Sequence, residues 1–276
     1  HNIKDIDGLE AYRTTVDSTG KRNFPEYTAP KVRQIAVPTT LSGGEFNARA
    51  GVTDPRLKLK QSFVHRGIMP ISVILDGEVT RHTPEWLFLS TGIRAVDHAV
   101  ETYLSLDAND YWDGAALHAL HLLSDGLVRV KADPSDFEAR QKCLMGAWLS
   151  MTGIVSGCRL GASHAIGHIL GGTAGVPHGY TSCIMLPSVL EWNKAVNSKR
   201  QANLSEALGK PNLPASEVLH NLIDSLGMPR RLEAVGVKQE QFEQLAENCM
   251  LDDWTFSNPR KISNPKQVLE ILELAR

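Results

Sequence analysis

The sequence has few of the features that mark membrane, secreted or nucleic-acid-binding proteins. It contains four cysteines in 276 residues and no CxxC pair, so we expect reduced thiols in a cytoplasmic protein rather than a disulfide framework. No apolar run approaches the roughly 20 residues that a membrane span needs. The formal net charge of −2 provides no field to attract nucleic acid. We therefore expect no nucleic-acid or membrane partner.

The hydrophobic pattern divides the chain into two parts. Short β-branched runs at 32–37 (VRQIAV), 57–63 and 71–75 (ISVIL) predict strands, and they are too few for a doubly wound sheet. From Thr83-Pro84-Glu85 onward, an N-cap, a first-turn proline and helical periodicity predict helices to the end of the chain. Separate helices are expected at 84–90 and 92–105, and again at 181–195 and 199–208. The predicted fold is an α/β part at 1–78 followed by an all-helical domain at 79–276.

Four histidines are candidates for one polar site. His164 and His168 are four residues apart in GASHAIGHILGGTAGVPH (161–178), so on a helix they share a face. His178 ends this stretch, and His98 lies upstream in GIRAVDHAVETY. An isolated HxxxH is more often two ordinary hydrogen-bonded histidines. The crowded glycines favour a site instead, because a close approach to the backbone explains them best.

Two further groups of residues lie near these histidines or near a turn. Arg94 and His98 are one helical turn apart, and we interpret the neighbouring Asp97 and Glu101 as ordinary charge pairs of an amphipathic helix. The loop PTTLSGGE (38–45) has hydroxyls and free N–H groups that suit a phosphate, ribose or nicotinamide, although many strand-to-helix loops share this composition.

Taken together, these motifs resemble the iron-containing alcohol dehydrogenase family, in particular its maleylacetate reductase-like branch. The resemblance covers nearly the whole chain. It implies the dehydroquinate synthase-like fold, in which a dinucleotide-binding α/β domain precedes an all-helical domain. The matching segments are IAVPTTLSGGE (35–45), ISVILDGEVT (71–80), TGIRAVDHAVETY (91–103), GASHAIGHILGG (161–172), VPHGYTSCIMLP (176–187) and the C-terminal NPRKISNPKQVLEILELAR (258–276).

The resemblance assigns roles to the histidines. The family's metal is held by one Asp and three His, and the three His positions are occupied here by His98, His164 and His178. His168 corresponds to a histidine near the substrate, a candidate proton relay.

The resemblance also assigns a cofactor, NAD or NADP. Thr39 and Thr40 fall on the family's cofactor-contacting loop, and we add Ser42 of the same loop. Lys60 resembles a family lysine near the nicotinamide ribose.

Arg94 departs from the family pattern, because it occupies the position of the ligand Asp, four residues before His98. A guanidinium does not deprotonate to bind a cation, and it repels a divalent metal. It is well suited to fork a carboxylate. We therefore predict a site without iron or zinc, in which Arg94 anchors a small carboxylated substrate.

A second departure is the absence of the family's Gly-Gly-Gly-Ser pyrophosphate loop. The resemblance places this loop before residue 1, in an N-terminal part on the order of a hundred residues. We expect the chain to be a truncated form whose cofactor binding is impaired.

Three functions stay open at this point. The first is an NAD(P)H-dependent reductase of maleylacetate or a related acid, with Arg94, His98 and His168 in catalysis. The second is a metal-dependent alcohol dehydrogenase in which His98, His164 and His178 suffice as ligands. The third is a helical module without turnover. A homodimer is the commonest arrangement for such an enzyme. We interpret the acidic pair at 252–253 as solvated surface.

Overall fold

The computed structural model describes residues 3–5, 7–16, 22–26, 28, 30–54, 56 and 59–276. The chain divides into two compact units. The first comprises His1–Val37 and Gly44–Ile74, and the second comprises Pro38–Gly43 and Leu75–Arg276. A few short strands followed by helices confirm the predicted fold class. The domain boundary after residue 78 stays a prediction.

The described residues of the first unit form three two-stranded sheets. Strand β1 pairs antiparallel with β2, β3 pairs parallel with β6, and β4 pairs antiparallel with β5. The strands are β1 (Thr15–Val16), β2 (Arg22–Asn23), β3 (Ile35–Ala36), β4 (Arg49–Asp54), β5 (Leu59–Val64) and β6 (Ser72–Val73). Single 3-10 turns lie at Asp7–Tyr12, Gly44–Phe46 and Arg66–Ile68.

The parallel pair is shorter than the runs that predicted it. Strands were expected at 32–37 and 71–75, and only two residues of each are paired. Val32, Ile35 and Ile71 are exposed on this unit. A parallel pair normally lies inside a sheet that is covered on both faces, and two strands do not bury such side chains by themselves.

The second unit is built from ten α-helices within residues 75–276, all of which the structure describes. They are α1 (Glu85–Leu104), α2 (Asp110–Ala132), α3 (Phe137–Ser150), α4 (Thr152–Val155), α5 (Ala162–Ala174), α6 (His178–Ala207), α7 (Ala215–Ser225), α8 (Phe242–Cys249), α9 (Asp253–Phe256) and α10 (Pro265–Leu274). Shorter 3-10 turns occur at Val79–His82, Leu232–Val235 and Gln239–Gln241. Among the described helices, none combines the length and apolar character needed to span a membrane.

Two of the predicted helix breaks have different outcomes. Helices expected at 84–90 and 92–105 form the single helix α1. Gly92 lies inside this helix, and its lack of a side chain lets Leu127 of α2 pack closely. A Cβ at Gly92 would lie 2.3 Å from Leu127 Cδ2. Helices expected at 181–195 and 199–208 are both part of α6, and a non-helical Asn197 with φ of −134° separates them. The second expected break is therefore present as a kink within one helix rather than as an end of a helix.

From Phe88 onward, helix α1 is buried on all sides, which places the polar residues of this part inside the unit. Its apolar residues, including Leu89 and Ile93, form a core with α2 and α3. A second core joins α5, α6, α8 and α10 around residues such as Ile166 and Ile271. A helix surrounded in this way has no face directed to solvent. Its charged side chains must find partners within the protein.

The loop 38–43 is anchored to the helical unit rather than to the strands that precede it. Leu41 is fully buried in the first core, and its N–H donates to Thr91 Oγ1 at 3.1 Å. Thr83 Oγ1 donates to the carbonyl of Thr39 at 2.7 Å. Gly43 has φ of +70°, and a Cβ there would lie 2.7 Å from Met151 Cγ. The loop conformation is thus fixed by helix packing.

Candidate functional site

The four histidines predicted as site residues lie in two stacked pairs that α5 connects. His98 on α1 stacks on His164 of α5, with ring centroids 4.9 Å apart. One turn along α5, His168 stacks on His178, the first residue of α6, with centroids 6.1 Å apart and nearly parallel rings. The spacing of four residues within α5 sets the separation between the two pairs.

Glu101 of α1 caps the first turn of the histidine-bearing helix. Its carboxylate accepts from the N–H groups of Gly161, Ser163 and His164 at 3.1, 2.9 and 3.3 Å. The N-cap of α5 is Gly161, which has no side chain to satisfy these donors. Asn258 Oδ1 accepts from the remaining N–H of this turn, that of Ala162, at 3.1 Å.

The interpretation of Asp97 and Glu101 as ordinary surface charge pairs was wrong. Both side chains are buried, because α1 is enclosed by neighbouring helices on every side. Asp97 Oδ2 accepts from Ser163 Oγ at 2.8 Å and lies 3.4 Å from His164 Nδ1. Both carboxylates therefore accept hydrogen bonds from residues in the first turn of α5.

His164 is fixed by Glu101 on one ring nitrogen only. Its Nδ1 lies 2.7 Å from Glu101 Oε2, while Nε2 is buried and has no hydrogen-bond partner in the described part of the chain. The same is true of His98 Nδ1 and Asp97 Oδ1. Unsatisfied buried polar atoms are uncommon in native structures, and a cluster of three marks a place where a further group is expected.

Arg94 lies beside this cluster with only 3% of its surface exposed. Its Nη1 donates to Ser182 Oγ of α6 at 3.1 Å. Within the described residues, no carboxylate oxygen lies within 4.0 Å of its guanidinium nitrogens; Asp97 and Glu101 act on it over a longer distance. Burying a cation without a directly bonded anion costs free energy, and Arg94 is such a cation.

The burial of the cluster shifts the pKa values of its ionisable groups toward their neutral forms. Burial lowers the pKa of Arg94, and it raises the pKa values of Asp97 and Glu101. Burial also lowers the pKa values of His98 and His164, and the positive charge of Arg94 lowers both further. His98 and His164 are thus neutral imidazoles at neutral pH, and the contact of His164 with Glu101 is a hydrogen bond rather than an ion pair.

Two features of the side chains present oppose the binding of a divalent metal. In the described part of the chain, the one set of three ligand atoms within 4.8 Å of one another belongs to Asp97, Glu101 and His164, not to the three predicted histidines. Glu101 is already engaged by the first turn of α5. Arg94 adds a positive charge that opposes a second cation. The assignment of His98, His164 and His178 as metal ligands stays a prediction.

The acidic pair at 252–253 was interpreted as solvated surface, and for Asp252 this was wrong. Its carboxylate is largely covered, and Oδ2 lies 2.9 Å from Nδ1 of His168. Trp254 packs against His168 and His164, with centroids 5.2 and 5.8 Å apart. The sequence offered one signal, a Trp among polar residues, which favours a partly buried segment.

The glycines of the histidine segment have local structural reasons. A Cβ at Gly161 would lie 3.0 Å from Glu101 Oε1, and one at Gly167 would lie 3.0 Å from Thr181 Oγ1. Gly175 ends α5 with φ of 68°, the left-handed conformation common after a helix. The close approach that the glycines predicted is made by the protein's own side chains at Gly161 and Gly167.

The predicted cofactor-binding residues are distributed between the two units. Thr39, Thr40 and Ser42 belong to the second unit, where Thr39 is exposed and the other two are half-buried. Their hydroxyls lie on a loop that helix packing holds in place, which fits a role in contacting a ligand. Lys60 lies on β5 of the first unit, and its side chain is outside the described part of the structure.

Comparisons with known proteins agree with the fold. The family model described as "Fe-containing alcohol dehydrogenase family, C-terminal" matches residues 88–276. Dehydrogenase ALT3 of Alternaria alternata is 34% identical over 275 residues, which cover 88% of this chain and 71% of the relative. The 1,3-propanediol dehydrogenase of Citrobacter freundii is 32% identical over 258 residues, which cover 90% of this chain and 66% of the relative.

Relatives of the predicted reductase branch are also similar. Maleylacetate reductase of Burkholderia cepacia is 31% identical over 230 residues, which cover 83% of this chain and 63% of the relative. The crystal structure of maleylacetate reductase from Agrobacterium tumefaciens superposes with a TM-score of 0.79 at 28% identity, covering 88% of this chain and 67% of that one. A crystal structure of 1,3-propanediol oxidoreductase gives 0.81 at 31% identity, covering 91% and 68%. The chain thus spans about two thirds of the length of these relatives.

Proposed function

Because the chain belongs to the iron-containing alcohol dehydrogenase family of oxidoreductases, we propose that it serves an NAD(P)-dependent reduction of a small carboxylated oxo-acid. Maleylacetate is the substrate that we would test first, since a maleylacetate reductase is among the similar proteins. The propanediol and other dehydrogenases among the relatives are comparably similar, so the choice of substrate rests on Arg94.

The state of Arg94 supports a carboxylate substrate. Its guanidinium is buried and bonded to a neutral hydroxyl, that of Ser182. Burial raises the pKa of Glu101, which favours its neutral form and weakens its compensation of this charge. A substrate carboxylate that reached the guanidinium would share its water-poor surroundings, where charge-assisted hydrogen bonds are strongest.

The remaining site residues have complementary roles in this proposal. His98 and His164 form a neutral polar wall, and His168, which is one-third exposed, exchanges a proton with the substrate oxygen. Thr39, Thr40, Ser42 and Lys60 would hold the dinucleotide. When bound, the reduced nicotinamide supplies the hydride. No metal takes part, because Arg94 occupies the position of the family's ligand Asp.

Thermal unfolding of the purified protein with and without a four- to six-carbon oxo-dicarboxylate tests the Arg94 assignment. A ligand at about 100 times its Kd stabilises the folded state by about 2.7 kcal/mol. Arg94→Lys keeps the charge and loses the planar fork, so it should lose this stabilisation. Arg140→Lys is the matched control, since Arg140 is also buried and donates to the carbonyls of Thr80 and Pro134. Equal stabilisation of wild type and Arg94→Lys would overturn the assignment.

Turnover provides the second test. The protein is assayed with maleylacetate and NADH, and then with NADPH, in the presence and absence of a chelator. Reduction that is unaffected by chelator supports the proposal. Activity that chelator abolishes and iron or zinc restores would overturn its metal-free form.

A metal-dependent alcohol dehydrogenase is the second candidate, and one observation favours it. Nε2 of His164 is buried and unpartnered within the described part of the chain, while Nδ1 is bonded to Glu101. Carboxylates orient metal-ligating histidines in this way. Metal analysis of protein purified without added metal separates the two candidates: one equivalent of iron or zinc would favour the dehydrogenase.

We place the reaction in the cytoplasm and expect a homodimer. The four cysteines support the first of these, because all are free and buried, as is usual in a reducing compartment. A dimer is the commonest symmetric assembly of such enzymes. Sedimentation of the purified protein measures the assembly directly.

A further inference from the structure

Asp252 and His168 form a hydrogen-bonded pair, and of the two only His168 has a role in the proposed function. Oδ2 of Asp252 lies 2.9 Å from Nδ1 of His168, and the two side chains are 20% and 34% exposed. Oδ1 of the same carboxylate accepts from the N–H of Trp254 at 2.9 Å and so caps α9. Both oxygens of Asp252 are therefore engaged, and its position is fixed.

The rest of the surroundings hold the His168 ring in one orientation. The Trp254 ring lies 5.2 Å from it, and the His178 ring lies parallel to it at 6.1 Å. Because the segment 252–254 supplies both the carboxylate and the indole, one short turn sets the tilt and the position of the imidazole together.

The chemistry of the pair determines which ring nitrogen is available. A carboxylate accepts hydrogen bonds and does not donate them, so the contact requires the proton of the neutral ring to be on Nδ1. The lone pair is then on Nε2, the nitrogen at the far side of the ring from Asp252.

We propose that Asp252 is a positioning residue that holds His168 in its Nδ1-protonated form, so that Nε2 exchanges the proton with the substrate. This rests on the proposed function for the identity of the reaction. In the reductive direction, the reduced nicotinamide would, when bound, supply the hydride to the carbonyl carbon. Nε2 of His168 first takes up a proton from solvent, which gives the imidazolium. As the carbon–oxygen π pair moves to oxygen, that oxygen takes the proton from Nε2, and His168 returns to its neutral Nδ1-protonated form. Orienting carboxylates of this kind typically matter by about 10- to 100-fold.

Two substitutions at residue 252 separate positioning from folding. Asp252→Ser keeps an N-cap side chain for α9 and is too short to reach His168. Asp252→Asn keeps both the cap and an acceptor oxygen for Nδ1. Glu247→Ser, which alters an exposed acid on α8, is the control for loss of charge near the segment.

Nitrogen-15 correlation spectra of the histidine rings give the decisive readout, since they need neither substrate nor cofactor. They are recorded at about pH 8.5, above the ordinary imidazole range, and His168→Gln identifies the signal. We expect protonated Nδ1 at His168 in the wild type, Asp252→Asn and Glu247→Ser, and a shift toward protonated Nε2 in Asp252→Ser. A wild-type ring protonated on Nε2, or an unchanged ring in Asp252→Ser, would overturn the proposal.

Kinetics then connect the tautomer to turnover. Asp252→Ser should lower kcat about 10- to 100-fold with little change in KM, and Asp252→Asn should restore it. In a His168→Gln background, Asp252→Ser should have no further effect. If His168→Gln leaves kcat unchanged, the relay role in the proposed function is wrong, while the tautomer result still decides the role of Asp252.

Discussion

Glu101 Oε2 lies 2.7 Å from Nδ1 of His164, and the same carboxylate accepts the N–H groups of the turn that begins α5. One buried side chain of α1 thus fixes both the start of the histidine-bearing helix and the orientation of its first histidine. The position of α5 and the geometry of the site are coupled through this contact.

Glu101→Ala should destabilise the second unit by about 2–4 kcal/mol, because several buried donors lose their acceptor at once. Glu101→Gln retains one acceptor oxygen and should cost about half as much. Urea unfolding followed by circular dichroism measures both. Glu247→Ala on the exposed face of α8 should stay within about 0.5 kcal/mol of wild type. A Glu101→Ala variant as stable as this control would show that the carboxylate is not needed to cap α5.

Arg94→Asp should create a metal site, because it places a carboxylate one helical turn before His98 and removes the opposing charge. We expect about one equivalent of zinc to bind, as measured by titration calorimetry and metal analysis. Arg94→Met removes the charge without adding a ligand and is the matched control. Equal zinc binding by Arg94→Met and Arg94→Asp would contradict a ligand role for residue 94. Absence of zinc binding by Arg94→Asp would contradict the prediction that His98, His164 and His178 are metal ligands.

Two glycines of α5 should respond in opposite directions to alanine. A Cβ at Gly167 would lie 3.0 Å from Thr181 Oγ1 and 3.5 Å from Arg94 Nη1, whereas a Cβ at Gly172 would meet no atom within 4 Å. Gly167→Ala should cost about 1–3 kcal/mol through overpacking against α6. Gly172→Ala should stabilise the unit by about 0.5–1 kcal/mol, since it lowers the entropy of the unfolded chain. Thermal unfolding of the pair checks the close approach of α5 and α6.

The free energy of unfolding should also depend on an ion pair between Asp107 and Arg159, a residue that lies shortly before the start of α5. Arg159 donates to both oxygens of Asp107 at 2.8 and 2.6 Å, and these bonds lower the pKa of Asp107 below its ordinary 3.8. A lowered carboxyl pKa contributes stability above about pH 4, and this contribution disappears as the pH falls through the lowered value.

Asp107→Asn should therefore be less stable than wild type at pH 7, by less than about 1 kcal/mol because the pair is partly exposed. The difference should shrink below about pH 4 and in high salt. Chemical unfolding at several pH values measures it. A difference that persists unchanged at low pH would assign the effect to the neutral hydrogen bonds of Asp107 instead.

That the four histidines come together was accessible from the sequence, whereas the partners of these side chains were not. Histidines at a spacing of four and an arginine one turn before His98 are local patterns, and helical geometry translates them directly into shared faces. The pairing of Glu101 with α5 joins residues 63 positions apart, and that of Asp252 with His168 joins residues 84 positions apart. No local pattern encodes contacts at such separations.

The same distinction explains the errors on Asp97, Glu101 and Asp252. An acidic residue on a helix or in a loop is usually solvated, and the sequence gives no sign of an exception. Helix α1 became an exception because α2, α3 and α6 enclose it, which is a property of the packed unit.

By itself, the sequence determined that a few short strands precede an all-helical part and that α1 starts close to Glu85. These follow from backbone propensity and periodicity, which act locally, whereas the position of Arg94 in place of a ligand Asp followed from the family resemblance. The tertiary structure alone decided that Arg94 is buried beside a hydroxyl, that Glu101 caps α5, and that Asp252 holds His168. Such contacts depend on how the helices pack, because burial determines which polar atoms lose water and must bond to one another.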